Sequence, residues 1–393
     1  MSDSIVILGA ARTPMGGFQG DFAGLAAHDL GGAAIKAAIE RAGISPAIVD
    51  EVLFGNCLMA GQGQAPARQA GFKGGLPAST GAVTLSKMCG SGMEATLLAN
   101  DQLIAGSRDV MVSGGMESMT NAPHLLLKGR SGMRIGHDRI YDHMMLDGLE
   151  DAYEPGRAMG TFGEQCADKY QFTREAQDAF ATASVQRARA AIESGAFNAE
   201  ITPVTVKGRA GDTVIAIDEG PGKVKLEKMS SLRPAFKKDG TITAASSSSI
   251  NDGAAALVLT RASTAKALGA TPIARIVGHA TFAQAPEWFT TAPVGAVQKL
   301  LKKIGWQVSD VDLWEINEAF AVVPMAAMKE LGISHDIVNV NGGACALGHP
   351  IGASGARIIV TLLYALKARG LKKGVATLCI GGGEGTALAI ELL

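Results

Sequence analysis

The chain predicts an α/β fold assembled from two similar halves. Three observations carry that prediction. Short apolar runs alternate with helical stretches along the chain; the same order of elements returns after residue 272; and the halves end alike, VSGGME at 112–117 beside IGGGEG at 380–385. Strands alternating with helices imply a parallel sheet. At 393 residues the chain exceeds what one hydrophobic core usually organises, and a 47% hydrophobic content can fill two.

In the first half, Ile5–Leu8, Glu51–Phe54, Ala82–Ser86 and Val110–Val112 read as strands, the last ending in Gly114-Gly115. Between them, Asp29–Ala42, Ala65–Phe72 and Gly90–Ala105 read as helices, the last with Met93, Leu97 and Ile104 on one face. The second half repeats the order. Strands are expected at Ile273–Val277, Val311–Glu315, Ile337–Val340 and Val375–Cys379, with helices at Val294–Ile304, Ala319–Leu331 and Ala353–Ala368. A segment of different texture separates the halves, with an irregular stretch over 128–151 and a helix at Arg174–Ser194; the apolar strand Ala254–Leu259 then returns to the first sheet. The division expected is 1–117 with 246–271 as one half, 118–245 as a lid or loop domain, and 272–393 as the other half. Lys128, Arg130, Arg134 and Arg139 in the inserted segment suit a subunit contact, a phosphate or a solvated surface.

The charge balance, 36 basic against 37 acidic residues, gives no global attraction to nucleic acid or to an anionic membrane, so an anionic ligand needs a local site. Five cysteines, at 57, 89, 166, 345 and 379, are odd in number and lack paired metal spacing, which argues for a reducing compartment rather than a disulfide framework. The N-terminus enters a strand-like run without a basic leader, and the longest apolar run noted, 358–366, falls short of the ~20 residues a bilayer span needs. A cytoplasmic chain with no membrane partner is the expectation.

Three motifs carry chemistry. In Lys87-Met88-Cys89-Gly90-Ser91-Gly92 a strand gives way to a helix, and a cysteine near a helix N-terminus is expected to favour thiolate over thiol. Small residues after it let a carbonyl approach backbone amides that can stabilise an oxyanion. A structural cysteine before a close-packed helix has the same local pattern. The second motif, 341–352, is a glycine-rich loop whose one histidine, His349, occupies by the repeat the position that Cys89 holds in the first half. A histidine there can take a proton from the thiol; a lone loop histidine is more often not catalytic. The third, Cys379-Ile380-Gly381-Gly382-Gly383, puts a second thiol at a strand end beside exposed backbone. A nucleophile, a base and a second acid/base on matching edges of a duplicated sheet are the parts that carbon–carbon bond formation between thioesters needs.

These residues resemble the thiolase family. The similarity runs from ARTP at 11–14 through PARQA (66–70), KMCGSGMEA (87–95), GGMESM (114–119), LRPAF (232–236), SINDGAAALVL (249–259), NEAFA (317–321) and GGACALGHPIGASGAR (342–357) to CIGGGEG (379–385). The resemblance implies a duplicated five-layered αβαβα core with an inserted loop domain, forming a homodimer or a homotetramer built as a dimer of dimers. It implies Cys89 as the acylated nucleophile, His349 as its base and an oxyanion donor, and Cys379 as the acid/base at the α-carbon. Asn317 would position a water, and the Gly381 and Cys89 amides would hold the acyl oxyanion. Acetyl-CoA, acyl-CoA and CoA are implied as substrates, with no cofactor and no metal.

The chain departs from the family pattern in three places. Ser246-Ser247-Ser248-Ser249 stands where Asn-Ala-Ser-Gly is common, which matches Ser248 to the serine on the pantetheine arm. Lys223, Lys225 and Lys228 are CoA candidates by charge alone. Ala158-Met159-Gly160 replaces the His-Met-Gly of short-chain members; Met159-Gly160 and ESMTNAP at 117–123 still favour a short acyl group. Cys345 is expected to be packing. Acetyl transfer is the first reading, with a degradative 3-ketoacyl thiolase of longer or functionalised chains and a non-catalytic CoA- or lipid-binding protein as alternatives.

Overall fold

A computed structural model describes residues 3–209 and 211–393. The first half contributes β1 (Ile5–Arg12), α1 (Ala27–Ala42), β2 (Glu51–Gly55), α2 (Pro66–Lys73), β3 (Gly81–Leu85), α3 (Ser91–Ile104) and β4 (Val110–Ser118). The inserted segment contains α4 (Gly160–Tyr170) and α5 (Arg174–Glu193), after which β5 (Asn251–Arg261) rejoins the sheet. The second half follows with β6 (Ala274–Ala283), α6 (Ala292–Ile304), β7 (Leu313–Ile316), α7 (Val322–Leu331), α8 (Ile351–Arg369), β8 (Lys373–Ile380) and β9 (Glu384–Leu392). Shorter helical turns and two-residue strands are left unnumbered.

The strands run in the order β7-β8-β9-β6-β1-β5-β4-β2-β3. Read outward from the central β6/β1 seam, the two halves have the same order, and the bridge between Trp314 and Val338 sits where the second half would place a counterpart of β3. The duplication is therefore visible in topology as well as in the glycine-rich ends. The seam itself is narrow, two antiparallel pairs at Val6/Arg275 and Ile7/Ala274.

The sheet is mixed, which corrects the expectation of a parallel one. Only β2 with β3, β2 with β4 and β7 with β8 run parallel; the middle of the sheet is antiparallel. The reason lies in the connections. A tight turn reverses direction where a helical crossover would not, and β8 turns into β9 through Gly382 and Gly383, both at φ above +90°. Two smaller differences accompany it. The expected strand at 337–340 reduces to the single bridge at Val338, and α7 starts at Val322 rather than Ala319.

Side chains alternate along β1 between two cores: Ile5 and Ile7 pack with α3 and α8, Val6 and Leu8 with α1 and α2. A third core joins α6 and α7 to the outer face of β7, β8 and β9. Helices α3 and α8 thus lie between the two half-sheets and the other helices cover the outsides, giving the five layers that the resemblance implied. Met93 and Leu97 face that interior, whereas Ile104, expected on the same face, is 64% exposed at the helix end. Every residue of α8 from Ile351 to Leu366 is buried. By length and composition this helix could cross a membrane, a longer apolar stretch than 358–366 suggested, yet its apolar surface is already covered by protein on both sides. The central helices meet closely: a Cβ on Gly355 of α8 would stand 2.4 Å from the Met93 nitrogen of α3.

Candidate active site

Strand β3 ends at Leu85 and the chain turns through Met88, at φ +46°, before α3 begins at Ser91. A positive φ is costly for a methionine. Ser91 holds the turn: its Oγ accepts from the Lys87 N–H at 2.8 Å and donates to the Met88 carbonyl at 2.7 Å. Cys89 follows Met88, half-buried, and opens into a cavity of about 350 Å³.

The helix start does not make Cys89 a resting thiolate. Burial raises the thiol to about 11 and outweighs the stabilising amides of Gly381 and of Cys89 itself, while the Glu117 charge pushes in the same direction as burial. The expectation of a thiolate at rest is corrected on that ground. The amides of Gly381, at the tip of β8, and of Cys89, at the helix start, both favour the thiolate without overcoming burial.

His349 is brought to the same cavity by the loop before α8. Gly348 stands at φ +100°, and a Cβ there would fall 2.1 Å from the Asn251 side chain, so only glycine fits. The His349 N–H donates to Asn251 Oδ1 at 3.2 Å, and its Nδ1 lies 2.5 Å from Ser354 Oγ. That hydroxyl donates its own hydrogen to the Pro350 carbonyl at 2.9 Å, so it accepts from Nδ1–H. The tautomer follows: Nε2 carries the lone pair, and it is buried without a protein partner. Burial first, and the Arg357 charge second, hold the imidazole down to about 3. It rests neutral.

Cys379, at the end of β8, is fully buried behind Gly381 and does not line the cavity. Its thiol is raised by burial and next by the nearby Cys89. Asn317 follows β7; its N–H donates to the Thr377 carbonyl at 3.0 Å, and both polar atoms of its side chain are buried without a protein partner. Met159 and Ser248 line the cavity together with Gly381, Phe289, Phe320 and Ile351. Lys223, Lys225 and Lys228 line a second cavity of about 610 Å³. Lys223 also pairs with Glu219. The serine run joins the two spaces, with Ser248 on the first and Ser247 and Ser249 on the second. Cys345 is buried beneath the second.

Sequence reasoning missed Ser354, Asn251 and the wall of the cavity opposite Cys89, formed by 146–153 around a π-helical turn at Met145–Leu149. Ser354 and Asn251 lie inside quoted motifs, GGACALGHPIGASGAR and SINDGAAALVL, but a serine and an asparagine beside glycines carry no signal of whom they bond.

Comparison with known proteins agrees with this geometry. The chain matches the model of the thiolase N-terminal domain over residues 5–263 and that of the thiolase C-terminal domain over 270–392. It is 51% identical to acetyl-CoA acetyltransferase 2 of Arabidopsis thaliana, covering 99% of this chain and 97% of the relative. It is 49% identical to the acetyl-CoA acetyltransferase of Cupriavidus necator, covering 98% and 99%. Among solved structures, the Bacillus anthracis acetyl-CoA acetyltransferase superposes with a TM-score of 0.97 at 41% identity, covering 100% of this chain and 99% of that one. A thiolase of Ascaris suum in complex with coenzyme A superposes with a TM-score of 0.94 at 42% identity, covering 99% and 100%. Two matched family domains that together span nearly the whole sequence, and a fold shared with these structures, place the chain in the thiolase family.

Proposed function

We propose that the chain is an acetyl-CoA acetyltransferase, condensing two acetyl-CoA to acetoacetyl-CoA and CoA or running the thiolysis in reverse. The observation that carries this reading is the meeting of Cys89, His349 and Gly381 on one small cavity, with Cys379 directly behind it. The relatives' names support acetyl as the group transferred. In the first step His349 Nε2 takes the Cys89 proton as sulfur attacks the thioester carbonyl. The amides of Cys89 and Gly381 receive the oxyanion. CoA leaves with the proton of the Cys379 thiol, His349 keeps the Cys89 proton on Nε2, and Cys89 keeps the acetyl group. In the second step the Cys379 thiolate takes a proton from the α-carbon of another acetyl-CoA, whose enolate oxygen is held by His349 Nε2–H and by a water on Asn317. Carbon–carbon bond formation then releases Cys89, which takes its proton back from His349. Every group in this scheme is a side chain or amide of the chain, a water, or part of a CoA thioester, so no further cofactor is called on.

Ser248 and Met159 border the acyl and pantetheine path, and Lys223, Lys225 and Lys228 would meet the CoA phosphates in the second cavity. Five free thiols favour a cytoplasmic setting. A homotetramer, or the dimer within it, is the assembly this reading entails.

Mass spectrometry after exposure to acetyl-CoA tests the nucleophile: one acetyl adduct on Cys89, abolished in Cys89→Ala, is the expected result. An adduct that persists in the variant would refute it. Thiolysis rates across acetoacetyl-CoA and longer 3-ketoacyl-CoAs test the acyl length, and a preference for long chains would overturn the acetyl assignment.

A further inference from the structure

Glu117, on β4, has no accessible surface and no cationic partner among the described residues. An unpaired carboxylate in that position is expensive unless hydrogen bonds replace its hydration. Four N–H groups do so in part, and burial still raises the acid to about 7. Oε1 accepts from Asn56 Nδ2 at 2.5 Å and from the Leu58 N–H at 3.1 Å; Oε2 accepts from the Cys57 N–H at 2.9 Å and the Gly352 N–H at 2.8 Å.

The donors come from two places that both lead to the active site. Residues 56–58 follow β2, and Cys57 Sγ donates to the Met88 carbonyl at 3.1 Å and lies 3.3 Å from Ser91 Oγ. Those are the atoms that hold the strained turn before Cys89. Gly352 is in the first turn of α8, three residues after His349, and approaches so closely that a Cβ would stand 2.6 Å from Glu117 Oε2. One side chain therefore binds the segment beneath the nucleophile in the first half and the segment behind the base in the second.

We propose that Glu117 is a positioning residue for acyl transfer, its carboxylate clamping the Cys57 loop and the start of α8 so that Cys89 and His349 keep their register across the two halves. This rests on the acyl-transfer reading above. The clamp also has an electrostatic signature. Cys57 lies against Glu117 and Cys89 lies within reach of its charge, which disfavours the thiolate of each. Above about pH 7, where the carboxylate is charged, removing that charge while keeping the shape makes Cys89 easier to ionise.

Two variants separate geometry from charge. Glu117→Gln keeps the size but aims an N–H₂ at an N–H donor and removes the charge; Glu117→Asp keeps the charge but is too short to reach both sides. Far-UV circular dichroism and urea unfolding establish that each is folded. The expected result for Glu117→Gln is Cys89 acetylation slowed about tenfold to a hundredfold, with KM for acetyl-CoA little changed. Its iodoacetamide alkylation of Cys89, read by peptide mass against pH, moves to lower pH. Glu117→Asp slows acetylation while leaving the alkylation profile where the wild type has it.

A purely structural glutamate would cost stability in both variants with acetylation per folded molecule unchanged and no shift of the profile, and that outcome overturns the proposal. Should Glu117→Gln not fold, Glu117→Asp decides: acetylation at the wild-type rate sinks the clamp. Failure of the wild type to form any acetyl adduct would instead sink the acyl-transfer reading, and the alkylation shift would still report on Glu117.

Discussion

A thiol raised to about 11 and an imidazole held down to about 3 are both uncharged at neutral pH, so the resting site holds a neutral pair in an apolar cavity. The pair gains its charges only when substrate and oxyanion donors are present to stabilise them. This arrangement has a cost that can be measured away from catalysis. His349 must be neutral in the folded chain but protonates freely at its ordinary 6.5 once unfolded, so its contribution to stability is fully present above pH 6.5 and is lost as pH falls toward 3. By pH 5 the loss amounts to about 2 kcal/mol. Urea unfolding of the wild type and His349→Asn between pH 8 and pH 5 checks this. The wild type should lose about that much more than the variant; parallel curves would show that the imidazole is not held neutral.

Among the elements, the glycine contact between α3 and α8 decides how near the two halves of the site come. The atom that a Gly355 Cβ would strike is the Met93 backbone nitrogen, which cannot rotate away as a side-chain tip could. Gly355→Ala should therefore force the central helices apart, at a cost of about 1–3 kcal/mol, and slow Cys89 acetylation with it. Gly24→Ala, where a Cβ meets nothing within 4 Å, serves as the control and should be neutral in both measurements. The same contact explains what was legible in the sequence. Repeated glycine-rich strand ends announced the duplication, and in the sequence Cys89, His349 and Cys379 read as lying on matching edges of the sheet. Strand direction was not legible, because Gly382 and Gly383 mark a turn without saying that the next strand pairs back on β8. The state of Cys89 was not legible either: the helix start is visible in KMCGSGM, but the burial that overrides it comes from residues brought together by the fold, Cys57, Met119, Met144 and Ile351 among them. Glu117 and Ser354 were hidden for a similar reason, since their donors and acceptors are assembled by tertiary contacts.

At the scale of the whole molecule, the proposed homotetramer would need contact surfaces, and two are candidates. Strand β3 is the free edge of the sheet, with Val83 45% exposed, and an open edge is a template for another strand. The segment between the short strands at 124–125 and 141–142 carries Leu126, Leu127, Met133, Ile135 and Ile140 outward, Ile135 being 99% exposed, interleaved with Lys128, Arg130, Arg134 and Arg139. A cluster of apolar side chains on an extended arm signals a protein contact more than a ligand site, and the basic residues among them give that contact a charged rim. Since Cys89 follows directly on β3, pairing of two β3 edges would brace the nucleophile's strand, whereas the arm lies farther along the chain and would join such pairs. The two contacts should therefore separate. On the proposed tetramer, Leu127→Asp combined with Ile135→Asp is expected to leave a dimer in sedimentation velocity while Cys89 acetylation persists. Val83→Lys is expected to weaken the dimer itself and to lower acetylation. A double variant that sediments like the wild type would assign the arm to solvent, and a Val83→Lys dimer of undiminished activity would remove β3 from the interface.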